Sequence, residues 1–246
     1  MHCIIERQGG GFVNRRAKGI YVVSAAMLLV AGMCAAASAF SLRVPQVVVQ
    51  GGSLQGYLNS QGESINVNTD QVDAQVWSTT ASGNSVFTLM IEYAGYANSN
   101  NVGVYNSDEA APTLFQIFPG SASPGWHALI SFPSSGFLIV TLFDENSNVI
   151  TQTSYPGVHR NSFGFYLQGP GGLFYSQDGR NAGAKAQMVT YAGTGLNSGD
   201  WWLCFEDLAP GVTDDDFEDA VLVLESVNPV KTAQTTLGQL KALYRR

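Results

Sequence analysis

"SVFTLMIEYAGY", residues 85–96, decides the fold class. Branched and aromatic residues dominate it, it starts just after a Gly-Asn turn, and nothing in it recurs at the spacing of a helix face, so it reads as a strand. Outward from it the same style repeats. "TLFQIFPG" (113–120), "HALISF" (127–132) and "GFLIVTLFD" (136–144) follow at intervals of about a dozen residues, closed by turn signals such as Pro119-Gly120 and Asp144-Glu145-Asn146. The second half continues with "SFGFYLQGPGGLFYS" (162–176), "AQMVTYAG" (186–193), "DWWLCFEDL" (200–208) and "DAVLVLESV" (219–227). Upstream, "VVVQGGSLQGYLNSQGESINV" (47–67) reads as two strands around Gly-rich turns, and no helical period of useful length is expected between Phe40 and Val227. Short, evenly spaced strands with polar turns predict an all-β fold, a β-sandwich of jelly-roll type.

The ends read differently. Arg15, Arg16 and Lys18 precede an apolar run from Ile20 to Cys34, and small residues stand at Ala37 and Ala39. That order is the one of a cleaved secretory signal over 1–39, with a signal helix, and the apolar run is short of the roughly 20 residues a membrane span needs. The expectation is an exported protein, extracellular or at the cell surface, with the periplasm as a further destination and no integral span after cleavage. Residues 40–228 are expected to form a single β-sandwich domain, with 155–161 as the one place where two lobes would part. From 229 to 246, Leu237, Leu240, Leu243 and Tyr244 have helical spacing and basic residues close the chain, giving a short helical tail that either frays or serves in docking or sorting.

Charge narrows the partners. Cleavage removes four of the 12 basic residues and one of the 19 acidic ones, leaving a formal net charge of −10. No Lys or Arg occurs between Arg43 and Arg160. Such a chain cannot neutralise phosphates, which argues against nucleic acid and anionic membrane surfaces and makes divalent cations the natural counter-ions. Cys3 and Cys34 leave with the signal, so Cys204 stands alone and no intramolecular disulfide is available.

One segment concentrates the charge. "FEDLAPGVTDDDFEDAVLVLESV" (205–227) holds eight carboxylates in a chain with 13% charged residues. Asp214 and Asp216 have the Asp-x-Asp spacing that aims two carboxylates at one point, Asp219 stands where the next strand begins, and Phe217 between them is apolar and expected to anchor the turn inward. Calcium takes six to eight oxygens in adaptable geometry and suits such a turn. The turn is no EF-hand, since the Gly after the third ligand position and the Glu at position twelve are missing. A solvated acidic turn is the alternative that spacing alone leaves open.

The stretch "FGFYLQGPGGLFYSQDGRN" from Phe163, followed by "WLCFEDLAPGVTDDDFEDAVLVLE", resembles the bacterial family called domain of unknown function 4114, and "IEYAGYANSNNVGVYN" (91–106) is similar to the segment that precedes that domain in exported relatives. The resemblance implies an exported β-sandwich with a calcium site, on surface or matrix proteins. It carries over to Asp214, Asp216 and Asp219, with Glu206 and Asp207 matching an upstream Glu-Asp pair. Glu218 stands where the family has Asn, keeping oxygen and adding charge, and "KAQMV" (185–189) stands where relatives carry Asp-His. The metal set expected is therefore Asp214, Asp216, Asp219, Asp207, Glu206 and Glu218, with Glu92, Asn98 and Asn100 as additions from the first half.

Chemistry elsewhere is sparse. His127 and His159 lie in loop-like stretches without metal spacing, Cys204 reads as a buried hydrophobe, and neither a nucleophile elbow nor a phosphate loop occurs. The sequence therefore predicts a non-enzymatic protein, a calcium-stabilised surface or matrix component that binds other surface proteins or a surface polysaccharide. Two alternatives remain. A calcium-dependent lectin would stack sugars on Trp126, Trp201 or Trp202, with one of the adjacent pair facing out. A glycoside-active enzyme would draw a carboxylate pair from Glu92 and the acidic turn.

Overall fold

Alternating apolar residues form most of the strands, and the alternation breaks where both faces of a strand are covered, as in the strand Trp201–Phe205, or where most of a strand lies in solvent, as in the edge strand Val149–Pro156. The computed structural model describes residues 40–91, 96–133 and 136–230. The expected signal helix and the C-terminal helical tail lie outside them. In chain order the elements are α1 (Ser53–Ser60), β1 (Trp77–Thr79), β2 (Asn84–Ile91), β3 (Asn101–Asn106), β4 (Leu114–Phe118), β5 (His127–Ser131), β6 (Phe137–Phe143), β7 (Val149–Pro156), β8 (Phe163–Gly169), β9 (Gly172–Tyr175), β10 (Met188–Ala192), β11 (Trp201–Phe205), β12 (Ala220–Glu225) and β13 (Val227–Pro229). The fold is an all-β sandwich of two antiparallel sheets. One runs β13-β1-β8-β3-β4, with β9 hydrogen-bonded to the second half of β8; the other runs β10-β11-β12-β2-β5-β6-β7. The chain crosses between them repeatedly, and the stretch 155–161, expected as a lobe boundary, covers the end of β7 and most of one such crossing, from β7 to β8.

The inward faces of the sheets make the main core, with Trp77, Phe87, Val104, Phe163, Phe165, Leu203 and Leu222 all buried. Their rings meet edge to face, Trp77 against Phe165 at 5.6 Å and Phe87 against Phe165 at 5.5 Å, the arrangement aromatic quadrupoles favour. A second core lies on the other face of β10–β12, where Val189, Tyr191, Trp202, Cys204 and Val221 are covered by Leu54, Leu58, Ile65, Val67 and Phe217. This extra layer explains why every residue of β11 is buried while β6 alternates, since a strand covered on both faces has no polar side.

Two expectations are corrected here. The stretch 47–67 is not a pair of strands, because α1 occupies its centre, with Leu54 and Leu58 four residues apart on the buried face and Gly62 at φ +81 beyond its end. Two turns of helix around Gly56 give too short a period to stand out from the sequence. The valines beside it make no ladder; Val47 gives its N–H to the Gln71 side-chain oxygen and takes a bond from the Gln71 amide, so a buried side chain replaces a partner strand. The second correction concerns Trp201 and Trp202. They do point to opposite faces, but neither faces water: Trp201 packs on Trp77 and Phe40 in the main core, and Trp202 is 1% exposed in the second.

Candidate metal centre

Glu206 and Asp207 leave β11 together, and the chain returns through residues 208–218 to enter β12 at Ala220. Local bonds fold this loop back on its own start. Glu206, fully buried, accepts the Thr213 hydroxyl on one oxygen and the Phe217 N–H on the other at 2.7 Å. Thr213 in turn accepts the Asp215 N–H at 3.0 Å, and the Asp215 carbonyl accepts Gln50 N–H at 2.8 Å. Phe217 is 0% exposed in the second core, as its apolar side chain between acids required. Asp215 and Phe217 both sit at positive φ, +58 and +57, which costs about 1–3 kcal/mol for each non-glycine residue and persists only where the surroundings over-determine it. The seated ring of Phe217 and the Glu206 carboxylate supply that constraint.

The result is a cluster. Glu206, Asp214 and Asp216 each bring a carboxylate oxygen to within 4.8 Å of the others, and this group could hold a metal ion. At that separation a pair of like charges repels by roughly 3.5 kcal/mol for an effective dielectric of about 20. A second row adjoins it. The Asp207 N–H donates to Asp219 Oδ2 at 2.8 Å, closing the base of the loop, and the Asp207 carboxylate accepts the Asn100 amide at 2.8 Å. Asn100 directly precedes β3 of the six-stranded sheet, whereas Asp207 follows β11 of the other, so this bond joins the two sheets at one end of the sandwich. Asn100 Oδ1 is buried without a hydrogen-bond partner.

Protonation follows from burial and crowding. Burial pushes Glu206 up to about 7, with Asp216 and Asp214 adding to the effect and the Thr213 and Phe217 bonds opposing it. Asp219 is pushed up to about 8 by burial, and Asp207, Glu206 and Asp216 raise it further. Asp207, Asp216 and Glu218 are also raised, in each case chiefly by burial. Proton uptake is thus one way the loop relieves its repulsion, and a cation is the other. The donors are all oxygens, a set that suits a hard cation.

The remaining expected residues fall around this cluster. Glu218 is half-buried and hydrogen-bonds Ser53 at the start of α1, leaving its Oε2 without a partner. Asn98 is exposed at φ +68 in the turn before Asn100, and Glu92 lies outside the described residues. Cys204 is buried in the second core with its thiol pushed up by that burial. His127, at the start of β5, stacks on Phe143 of β6, and His159 pairs with Asp108 at 2.7 Å, so neither joins the acidic loop.

Sequence reading passed over three contributors. Thr213, a loop residue, donates its hydroxyl to Glu206 and orients it. In "GPGG" a Cβ on Gly169 would fall 2.0 Å from Asn100 Oδ1 and one on Gly171 would fall 1.9 Å from the Asp207 carbonyl oxygen. The β8–β9 hairpin therefore has to be bare where the second acidic row passes. Gly171→Ala should cost about 2–3 kcal/mol in a denaturant titration, because the Asp207 backbone must shift. Gly179→Ala, where a Cβ meets nothing within 4 Å, should stay within about 0.5 kcal/mol of the parent. No family model matches the chain, and no curated protein matches it. Among the described residues no helix is long and apolar enough to cross a membrane.

Proposed function

We propose that this chain is an exported, non-enzymatic β-sandwich that binds calcium in the loop between β11 and β12 and serves as a component of a cell surface or extracellular matrix. The observation that carries the reading is the meeting of Glu206, Asp214 and Asp216 within 4.8 Å. Asp207, Asp219 and Asn100 back it with further oxygens at the same end of the sandwich. Calcium suits a set of carboxylates on an irregular loop better than magnesium, which demands a tight octahedron and keeps its waters. Export rests on the signal-like segment before Phe40, and the surface role on the likeness to domain of unknown function 4114. Calcium would tie the exit of β11 to the entry of β12, so that the fold is completed where external calcium is abundant.

Titration calorimetry tests the metal directly. One calcium per chain is expected to bind with a dissociation constant of about 0.1–1 mM, the range of extracellular modules. Magnesium at the same concentration should give little heat. Asp216→Asn, which removes one charge and keeps the shape, should weaken calcium binding by about tenfold or more. Absence of calcium binding to the parent protein would remove the central claim.

A further inference from the structure

The seven-stranded sheet extends past its partner on the side away from the acidic loop. Beyond β4, the last strand of the six-stranded sheet, β6 and β7 leave part of their inner face uncovered, and a cleft of about 290 Å³ opens between β4 and β7. Its walls follow from register. Leu142 pairs with Thr151, Val140 with Thr153 and Leu138 with Tyr155, so Thr151, Thr153 and Tyr155 share the face of the buried β6 residues. The Tyr155 ring leans on Phe115 of β4 at 5.8 Å. Trp126 closes one end, held by its Nε1–H to Glu145 at 3.1 Å, and Gln116 and Ser121 complete the polar rim.

The chemistry of this lining is specific. Hydroxyls of Ser121, Thr151, Thr153 and Tyr155 make no hydrogen bonds among the described residues, and Gln116 engages Asn101 through its amide nitrogen alone, leaving its oxygen free. Among the described residues no acidic or basic side chain lines the cleft. Two aromatic rings and a buried aliphatic floor stand beside these hydroxyls. A purely apolar occupant would strip water from the hydroxyls without replacing their bonds, at a cost of about 1–3 kcal/mol each. An anionic occupant would find no cation here and a chain of strong negative charge around it. A neutral polyhydroxyl ligand satisfies both demands, because a sugar offers a C–H face for stacking on rings and hydroxyls that donate and accept together. The volume sits at the small end of small-molecule sites, about 300–1,000 Å³, and suits a short stretch of glycan.

We infer that the cleft between β4 and β7 is a binding site for neutral glycan chains, recognised through Trp126, Tyr155, Gln116 and the free hydroxyls beside them. It acts independently of the acidic loop. β12 and β7 are four strand spacings apart in the sheet order, roughly 19 Å.

The test is a glycan array of neutral and acidic oligosaccharides probed with the full chain, followed by calorimetry with the strongest neutral oligosaccharide, with a random peptide library in parallel. Retention by neutral glycans is expected. Tyr155→Ala should weaken it by about tenfold or more, as truncating a stacking aromatic does. Thr153→Val, a half-exposed change of equal shape, should weaken it as well without changing the melting temperature, which separates recognition from folding. Excess chelator should leave the affinity unchanged. Retention of acidic glycans or peptides alone, no retention at all, indifference to both substitutions, or loss on chelation would each overturn the assignment; the last would move recognition to the acidic loop.

Discussion

Calcium at about 1 mM is expected to raise the melting temperature of the full chain by about 3–6 °C over chelated protein near neutral pH, and by more as the pH rises. The first figure follows from mass action. With a dissociation constant near 0.1 mM, binding to the folded form alone contributes about 1.4 kcal/mol. For a protein of about 200 residues each kcal/mol is worth roughly 2–4 °C. The pH dependence follows from Glu206, pushed up to about 7, and Asp219, pushed up to about 8, against ordinary values of 4.5 and 3.8. Below about pH 3 both groups are largely protonated whether the chain is folded or not, and they contribute little slope. Between about pH 5 and 8 the folded chain holds protons that the unfolded chain has released, so the metal-free protein loses stability as the pH rises. A tenfold difference in proton affinity between the folded and unfolded chain is worth about 1.4 kcal/mol, so Glu206 alone accounts for about 2–3 kcal/mol across that window. Asp207, Asp216 and Glu218 are raised in the same direction and add to it. Calcium requires the deprotonated loop, so it should release protons on binding and flatten this decline. Melts at pH 5, 6.5 and 8, with calcium and with excess chelator, read both effects. A chelated protein that grows more stable from pH 5 to 8 would show that the loop acids are not buried and crowded as described, and equal curves with and without calcium would show that no cation relieves them.

The sheets were readable because their residues obey local rules. β2, β4, β5, β6, β8 and β12 each combine branched or aromatic residues with a bounding turn, and each forms near its expected place. β1, β3, β7, β13 and α1 escaped that reading, and each lacks such signals: β1 and β13 are three residues long, and "NVGVYN" of β3 carries a glycine inside it. β7, "VITQTSYP", is an edge strand with most of its side chains in solvent, so it carries little apolar pattern. α1 is two turns long and is fixed by the second core that covers it, which is a tertiary cause no window of sequence contains. The same division holds at the acidic loop. Asp214 and Asp216 announce themselves by spacing, whereas the role of Thr213 depends on a turn at positive φ and that of Gly171 on a backbone that passes it from β11. Trp201 and Trp202 show the limit of strand alternation as evidence. Alternation tells which side each ring faces, but whether that side meets water depends on what another part of the chain lays over it.

That covering layer is held by Glu63, whose loss should cost as much as truncating a ring of the main core. Glu63 is 5% exposed and follows α1. Its Oε2 accepts the N–H and the hydroxyl of Thr194, both at 2.6 Å, and its Oε1 accepts Asn197 Nδ2 at 2.6 Å and Trp202 Nε1 at 2.8 Å. One carboxylate therefore binds the α1 layer to the loop between β10 and β11 and to the ring at the centre of the second core. Burial alone would raise its pKa, but the four bonds outweigh burial and hold it below the ordinary value of 4.5. The sign is thus opposite to that of the acidic loop: Glu63 stabilises the fold above about pH 4.5, and the contribution is lost as the pH falls through its lowered pKa. Glu63→Ala removes an acceptor and strands four donors, the Trp202 N–H in a place water does not reach. Charge-assisted bonds of this kind contribute about 1.5–3 kcal/mol each where they are buried, and leaving a donor unpaired adds its desolvation cost. Allowing for water reaching Asn197 and Thr194 at the loop surface, the expected loss is about 3–5 kcal/mol, or roughly 6–20 °C in melting temperature. Trp202→Phe deletes the stranded donor, so a double-mutant cycle with Glu63→Ala should show a coupling of about 1–2 kcal/mol. Strict additivity would mean that the Trp202–Glu63 bond contributes nothing, and a loss below about 1 kcal/mol in Glu63→Ala would mean that packing by Leu54 and Leu58 alone holds the layer in place. Calcium binding by Glu63→Ala should persist at temperatures where it remains folded, because the carboxylates of the loop between β11 and β12 are not bonded to Glu63. Any weakening would report the contacts of the covering layer with that loop, Ser53 on Glu218 and Gln50 on Asp215.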